Sequence, residues 1–224
     1  MNRKSISRQI QNFISENIST YDLTILEDQL IITRQIKGVK CSLNIRCQSF
    51  VVEYLMGSPV NLIKNNELEK QFELLLLDEM KKYYNDDFTF GESSASFGLT
   101  SPIADIRIKS ENDVIEYCEK LQRHISEVEK EFFYPMTDKK KLSAYIAKFS
   151  YEKNLKVMVG SRFPVMTLKK MFLLHVGNQM ERYNEYKEGL FKQIESFPIR
   201  KPKRAEEAKL FMKNFEYLVK MLGN

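Results

Sequence analysis

Apolar residues in the first part of the chain fall at two different periods. Ile6, Ile10, Phe13, Ile14 and Ile18 recur every three or four positions. That interval gathers side chains on one face of a helix, so residues 4–19 are predicted to form an amphipathic helix. The stretch QLIITRQIKGVKCSLNIRC then holds two β-rich runs around Lys37-Gly38-Val39. Gly38 can supply a positive φ, and the two runs read as a hairpin. In the second run Cys41, Leu43, Ile45 and Cys47 alternate with Ser42, Asn44 and Arg46, which predicts one buried and one wet face. SFVVEYLMGSP continues extended until Gly57-Ser58-Pro59 stops it.

Helical spacing returns at Leu68, Phe72, Leu75, Leu76 and Met80, predicting a helix over about 65–85. FTFGESSASFGLTSP, rich in Gly, Ser and Thr, is expected to be a short strand, a mobile loop and a re-entry. IADIRIKS alternates, with Ala104, Ile106 and Ile108 inward and Asp105, Arg107 and Lys109 outward. Ser110 is placed to cap a helix, with Asp113 as its capping-box partner. That helix carries Val114, Cys118, Leu121, Ile125, Val128 and Phe132, and should end before Tyr134-Pro135. Asp138 can cap a shorter helix with Leu142, Tyr145, Ile146 and Phe149, and LKVMVG (Leu155 to Gly160) is expected to add a strand.

From Phe163 onward the pattern is helical. Leu168, Met171, Phe172, Val176, Met180, Tyr183, Leu190 and Ile194 predict one helix of about thirty residues, despite Gly177 and Gly189 within it. Leu210, Phe211, Phe215, Leu218, Val219 and Leu222 predict a last helix, ended by Gly223. Between them SFPIRKPKRAEEAK contains Pro198 and Pro202, which argue against helical continuity, so the two helices are expected to form an antiparallel hairpin. Glu206 and Glu207 then fall in the first turns of the last helix, where its dipole favours them. The expected fold class is therefore α+β. A small antiparallel sheet packed with helices occupies residues 1–160, and a C-terminal antiparallel helical hairpin occupies 161–224 and can pack on the first part as one domain.

Composition fits this reading. Of 224 residues 43% are hydrophobic and 29% charged, ordinary for a globular protein. Apolar runs such as Leu74 to Leu77 fall far short of the roughly 20 residues a membrane span needs. The opening Met1-Asn-Arg-Lys-Ser-Ile-Ser-Arg-Gln has no apolar core behind its basic residues, so a secretory signal is not expected and the cytoplasm is the expected compartment. Three cysteines do not make a disulfide framework. Cys41 and Cys47 are six residues apart on one strand, roughly 20 Å at about 3.3 Å per residue, too far to pair. Cys118 reads as a small core residue. Charge is uneven. Residues 1–112 carry 13 Lys and Arg against 15 Asp and Glu, and residues 113–224 carry 22 against 15. A basic half suits a polyanion or an acidic partner, and it also suits solvated helix faces.

Chemistry is sparse. No phosphate-binding glycine loop, dinucleotide fingerprint or nucleophile elbow is found, and no cofactor or metal ion is implied. Gly91 to Gly98 is expected to be a flexible connector. His124 precedes Glu127 by three residues and is expected to form an exposed helical pair with it. His175 lies in MFLLHVGNQM and is expected to be partly buried and bonded to a carbonyl. A metal-dependent nuclease would pair Asp105, Arg107 and Lys109 with an acidic-x-lysine strand, but Glu152 and Lys153 are adjacent and point to opposite faces. The aromatic clusters Phe132-Phe133-Tyr134, Tyr83-Tyr84, and Tyr183 with Tyr186 could anchor a partner or stack on bases; packing between helices and over their ends is the simpler expectation.

The layout resembles, as an analogy only, small bacterial domains of unknown function that include toxin-immunity proteins. The leading expectation is a non-enzymatic cytosolic protein that binds another macromolecule, most plausibly a protein, in an immunity- or adaptor-like role. Self-association through the C-terminal helices would fit their Met, Phe and Tyr content. A second expectation is nucleic-acid binding through Arg200, Lys201, Lys203, Arg204, Lys139, Lys140 and Lys141. A third is a hydrolase whose pocket gathers Asp105, Arg107, His124 or His175. The stretch SFPIRKPKRAEEAK is first a joint between helices.

Overall fold

The computed structural model describes residues 3–18, 20–26, 28–50, 53–100, 103–153 and 157–223. It is an α+β protein in which an antiparallel sheet of about eight strands packs with helices and the two C-terminal helices pack on each other. Contacts gather into two compact units. One comprises the chain up to Ile63 with Gly91–Pro135, and the other Lys64–Phe90 with everything from Met136 onward.

In the first unit α1 (Arg3–Asn17) buries Ile6, Ile10 and Ile14, the stripe its spacing predicts. Strands β1 (Asp22–Ile25), β2 (Gln29–Ile36) and β3 (Val39–Ser49) follow as an antiparallel meander. Ile36 pairs with Val39 across a two-residue turn in which Lys37 and Gly38 both have positive φ, the turn whose twist matches a hairpin. Register sets Leu30 opposite Ile45, Ile32 opposite Leu43 and Arg34 opposite Cys41, so the buried face carries the alternation expected of it. Arg34 is tolerated there because Glu129 receives it. Short strands β4 (Tyr54–Met56) and β7 (Ile106–Ile108) pair antiparallel, and β4 also pairs with β3. The chain leaves and re-enters this unit through β5 (Val60–Lys64) and β6 (Phe90–Ser93).

Helix α5 (Glu111–Val128) packs on α1. Its capping box forms as expected, with Ser110 Oγ accepting from the Asp113 amide and the Asp113 carboxylate accepting from the Ser110 amide. The helix does not stop before Tyr134-Pro135. It widens into a π-helical turn, Glu129–Phe133, and re-tightens as α6 (Tyr134–Met136). The widened turn lets both Phe132 and Phe133 enter the core while Tyr134 remains outside.

The second unit departs more from expectation. The helix foreseen over 65–85 is two short ones, α2 (Asn66–Glu73) and α3 (Asp78–Lys81). Asn214, fully buried on α10 (Ala205–Met221), accepts from the Leu77 amide at 2.8 Å and donates to the Leu75 carbonyl. One side-chain amide thus satisfies backbone groups that a continuous helix would have paired internally. The thirty-residue helix is likewise two, α8 (Val165–Val176) and α9 (Met180–Arg200). Asn178 adopts φ 59 between them, and a Cβ on Gly177 would lie 2.0 Å from the Ser143 side chain of α7 (Lys139–Ala147). Close packing on α7 and a left-handed Asn end the helix there. Asp138 caps α7 by accepting from Lys140 and Lys141 amides. Of the strand expected over 155–160, residues 155 and 156 lie outside the described residues, and Met158–Val159 form β8. Helices α9 and α10 form the expected hairpin, but Pro198 lies inside α9. It is in the last turn, where the helix continues only to Arg200 before a tight turn at Pro202–Arg204.

Candidate functional site

The polar residues with the most chemical promise are inside the two units. Strand β6 delivers Ser93, which caps the four-residue helix α4 (Ser94–Phe97). The segment Gly91 to Gly98 is therefore a built strand-to-helix turn, because Ser93 Oγ accepts from the Ser96 amide and Gly98 closes the helix at φ 91. Ser94 is completely buried. Its Oγ lies 3.1 Å from His124 Nε2 and accepts from Asn61 Nδ2 at 3.0 Å. His124 is thus no exposed partner of Glu127. It has no exposed surface, and its Nδ1 stands 3.9 Å from Glu127 Oε2. Glu127 instead accepts from the Thr100 amide and hydroxyl. Burial pulls the His124 pKa down, against opposite pulls from Glu127 and the Thr100 backbone, so the ring is neutral.

The order serine, histidine, carboxylate resembles a nucleophile with its base and orienting acid. Three features oppose that use. Ser94 and His124 are both closed to solvent, the carboxylate is beyond hydrogen-bond range, and Asn61 occupies a lone pair on the serine oxygen. The cluster is a packed polar pin between β5, α4 and α5.

The second unit contains a charged counterpart. Lys169 on α8 is 1% exposed and Glu69 on α2 is 3% exposed, and they meet at 2.7 Å. Glu69 Oε1 accepts from Thr89 Oγ1 at 2.6 Å and Oε2 accepts from Tyr84 OH at 2.9 Å. Lys169 also donates to the Phe88 carbonyl at 3.0 Å. Thr89 in turn accepts from the Asn65 amide, and Asn65 caps α2. Burial lowers the Lys169 pKa while Glu69 opposes the shift, and burial alone lowers that of neighbouring Lys170 to about 8. The sequence pattern hid this pair, since 100 positions separate its members and Lys169-Lys170 reads as a solvated dipeptide.

The remaining candidates are dispersed. Asp105 just before β7 and Arg107 on it are exposed, with Arg107 paired to Glu53, whereas His124 is closed to solvent. His175 lies in the second unit with its ring edge-on to Tyr183 at 5.2 Å. Glu152 and Lys153 are exposed in a turn. Among the described residues no three His, Cys, Asp or Glu side chains could hold a metal ion. Cys41 and Cys118 are buried, each pushed up to about 12 by loss of water. Of the aromatic clusters, Tyr183 and Tyr186 are core residues and Tyr84 belongs to the Glu69 network.

The basic candidates separate into two groups. Lys139, Lys140 and Lys141 are exposed in the first turn of α7, next to Gly177 at the α8–α9 joint. Arg200, Lys201, Lys203 and Arg204 are exposed at the far end of α9. A 21-residue helix is about 30 Å long at 1.5 Å per residue, so the groups do not form one patch. Arg204 is already paired with Glu207 at 2.5 Å.

What α9 and α10 leave open is apolar. A groove of about 370 Å³ runs between them, lined by Lys187, Glu188, Phe191, Phe215 and Val219, and no polar atom of its walls opens into it. Phe191 is 39% exposed and its ring leans on Phe215 at 6.1 Å. Lys187 lays its ammonium over the Tyr183 ring at 5.4 Å and so contributes its aliphatic stem to the groove. The sequence carried a faint signal for it: Phe191 follows Leu190, so one of the two had to leave the buried stripe.

No protein-family model, curated protein or solved structure matches this chain.

Proposed function

We propose that this chain is a non-enzymatic protein-binding protein whose partner docks on the outer face of the α9–α10 hairpin. The groove carries the reading: an exposed aromatic side chain stands over a carbon-lined depression, with charged residues around it. Specific protein interfaces are built in this way, with aromatic anchors at the centre and a polar rim. An apolar depression of this kind gains free energy when a complementary apolar surface displaces its water. An adaptor- or immunity-like role in the cytoplasm is the form this function would take. The two separated basic groups give less support to a nucleic-acid partner, which would more readily bind a continuous positive track.

Incorporating a photo-activated aromatic residue at Phe191 of the full chain, in cells of its own organism, tests the reading. The expected result is covalent adducts with protein, reduced about tenfold by Val219→Asp, as suits loss of a central anchor. The same probe at Leu74, 78% exposed, should give only background. Equal labelling at both positions, or adducts destroyed by nuclease, would overturn the proposal.

A further inference from the structure

We infer that the groove's occupant is a second copy of this chain, set face to face about a two-fold axis. The inference rests on the protein-docking reading above and names the partner. Its basis is the distribution of charge along the groove. Phe191 leans on Phe215, and Lys187 and Glu188 share the groove with Val219. Residues 187–188 of α9 therefore stand level with 219–220 of α10, and 191–192 stand level with 215–216. At the first level the rim carries Glu188 on α9 and Lys220 on α10. At the second it carries Lys192 on α9 and Glu216 on α10. Among these four charges signs alternate along each helix and across the groove, while the Lys187 ammonium is turned onto the Tyr183 ring.

Such a checkerboard is complementary to itself. A two-fold axis perpendicular to the helices sets Glu188 against Lys192 of the second copy, and Glu216 against its Lys220. An axis parallel to the helices sets Glu188 against Lys220 and Lys192 against Glu216. Opposite charges meet in both arrangements, and each contact occurs twice, as an isologous interface requires. A rim of one sign would repel itself, whereas a nucleic acid would meet two carboxylates on this one.

The four charges also remain uncommitted. Elsewhere on the hairpin Arg182 pairs with Glu185, Arg204 with Glu207 and Lys209 with Glu206, each within one helix. Glu188 and Lys192, like Glu216 and Lys220, have the four-residue spacing that favours such pairing. Among the described residues, however, none of these four takes part in an ion pair. Between them lies the carbon-lined groove whose water a second Phe191 would displace.

Charge exchange tests this directly. Glu188→Lys with Glu216→Lys makes all four of these charges basic, and Lys192→Glu with Lys220→Glu makes all four acidic. All four positions are exposed, so both variants should keep the parent's circular dichroism, and any fall in melting temperature should be restored in their equimolar mixture. Sedimentation velocity of the full chain should show a dimer for the parent. Each variant alone should dissociate, its dissociation constant raised about 100-fold by like-charge contact. An equimolar mixture should restore a dimer containing one of each, within about tenfold of parental affinity. A monomeric parent, variants that dimerise as the parent does, or a mixture that stays monomeric would overturn the inference. A monomeric parent that still forms groove-dependent adducts at Phe191 with a different protein would leave the docking reading standing.

Discussion

The buried polar cluster of the first unit is neutral, and that of the second is ionic. Around Ser94 the groups are a hydroxyl, a carboxamide and an uncharged imidazole. Two of their atoms, Asn61 Oδ1 and His124 Nδ1, are buried without a hydrogen-bond partner among the described residues. Around Glu69 three donors converge on one carboxylate, and both its oxygens are engaged. The difference follows from the cost of burial. An unpaired neutral polar atom costs about 1–3 kcal/mol, which a fold can absorb. A buried ion without its partner costs several times more, so such ions persist only when fully satisfied. Orphaned atoms are therefore found in the neutral cluster, and a closed network surrounds the charged pair.

The sharpest way to break this contrast is to remove one charge. Glu69→Gln keeps the shape and leaves Lys169 buried beside a neutral amide, and it should destabilise the fold by about 3–5 kcal/mol, read as a lowered denaturant midpoint. Replacing both, Glu69→Leu with Lys169→Met, should recover most of that loss, since an apolar pair of similar volume is often neutral or better. A double variant no more stable than Glu69→Gln would show that Thr89 and Tyr84, rather than the ion pair, dominate the network.

These clusters also mark the limits of what the chain's pattern discloses. Period with local turn and capping residues located α1, the β2–β3 hairpin with its buried face, the start of α5 with its capping box, and the C-terminal hairpin, because the signals that mark them lie within a few residues of one another. The misread features depend on distant partners. The break between α2 and α3 requires Asn214, 137 positions from Leu77. The break between α8 and α9 requires Ser143 against Gly177. His124 read as exposed because Glu127 lies one turn away, whereas the ring turns inward to Ser94, 30 positions back. The groove was only half legible. Phe191 was not singled out, although its place beside Leu190 was the available signal, and the groove's depth depends on which residues α10 sets opposite.

A smaller effect is expected in the neutral cluster. Ser94→Ala removes the acceptor of Asn61 Nδ2 and the partner of His124 Nε2, and should cost about 1–3 kcal/mol for groups left unpaired. Equilibrium unfolding in urea measures both variants on one scale. If Ser94→Ala costs as much as Glu69→Gln, the distinction between neutral and ionic burial fails for this fold.

The smallest effect is a dependence on pH that the neutral cluster should show between pH 7 and pH 5. Ser94 Oγ and His124 Nε2 share a hydrogen bond whose direction follows the imidazole tautomer. Burial holds the folded-state pKa of this ring below its usual value of 6.5. As pH falls from 6.5 toward the folded value, the unfolded chain takes up a proton that the folded chain refuses. Stability contributed by the neutral ring is therefore complete above 6.5 and is lost progressively below it. Glu127 and the Thr100 backbone favour the charged ring, but burial outweighs them. His124→Gln, which keeps a side-chain oxygen to accept from Ser94, should begin less stable yet lose the acid-dependent part of the decline. Urea midpoints at pH 7 and pH 5 for parent and variant decide it: parallel slopes would mean that His124 opens to solvent and titrates as a surface residue, and the neutral pin would then lack the rigidity ascribed to it.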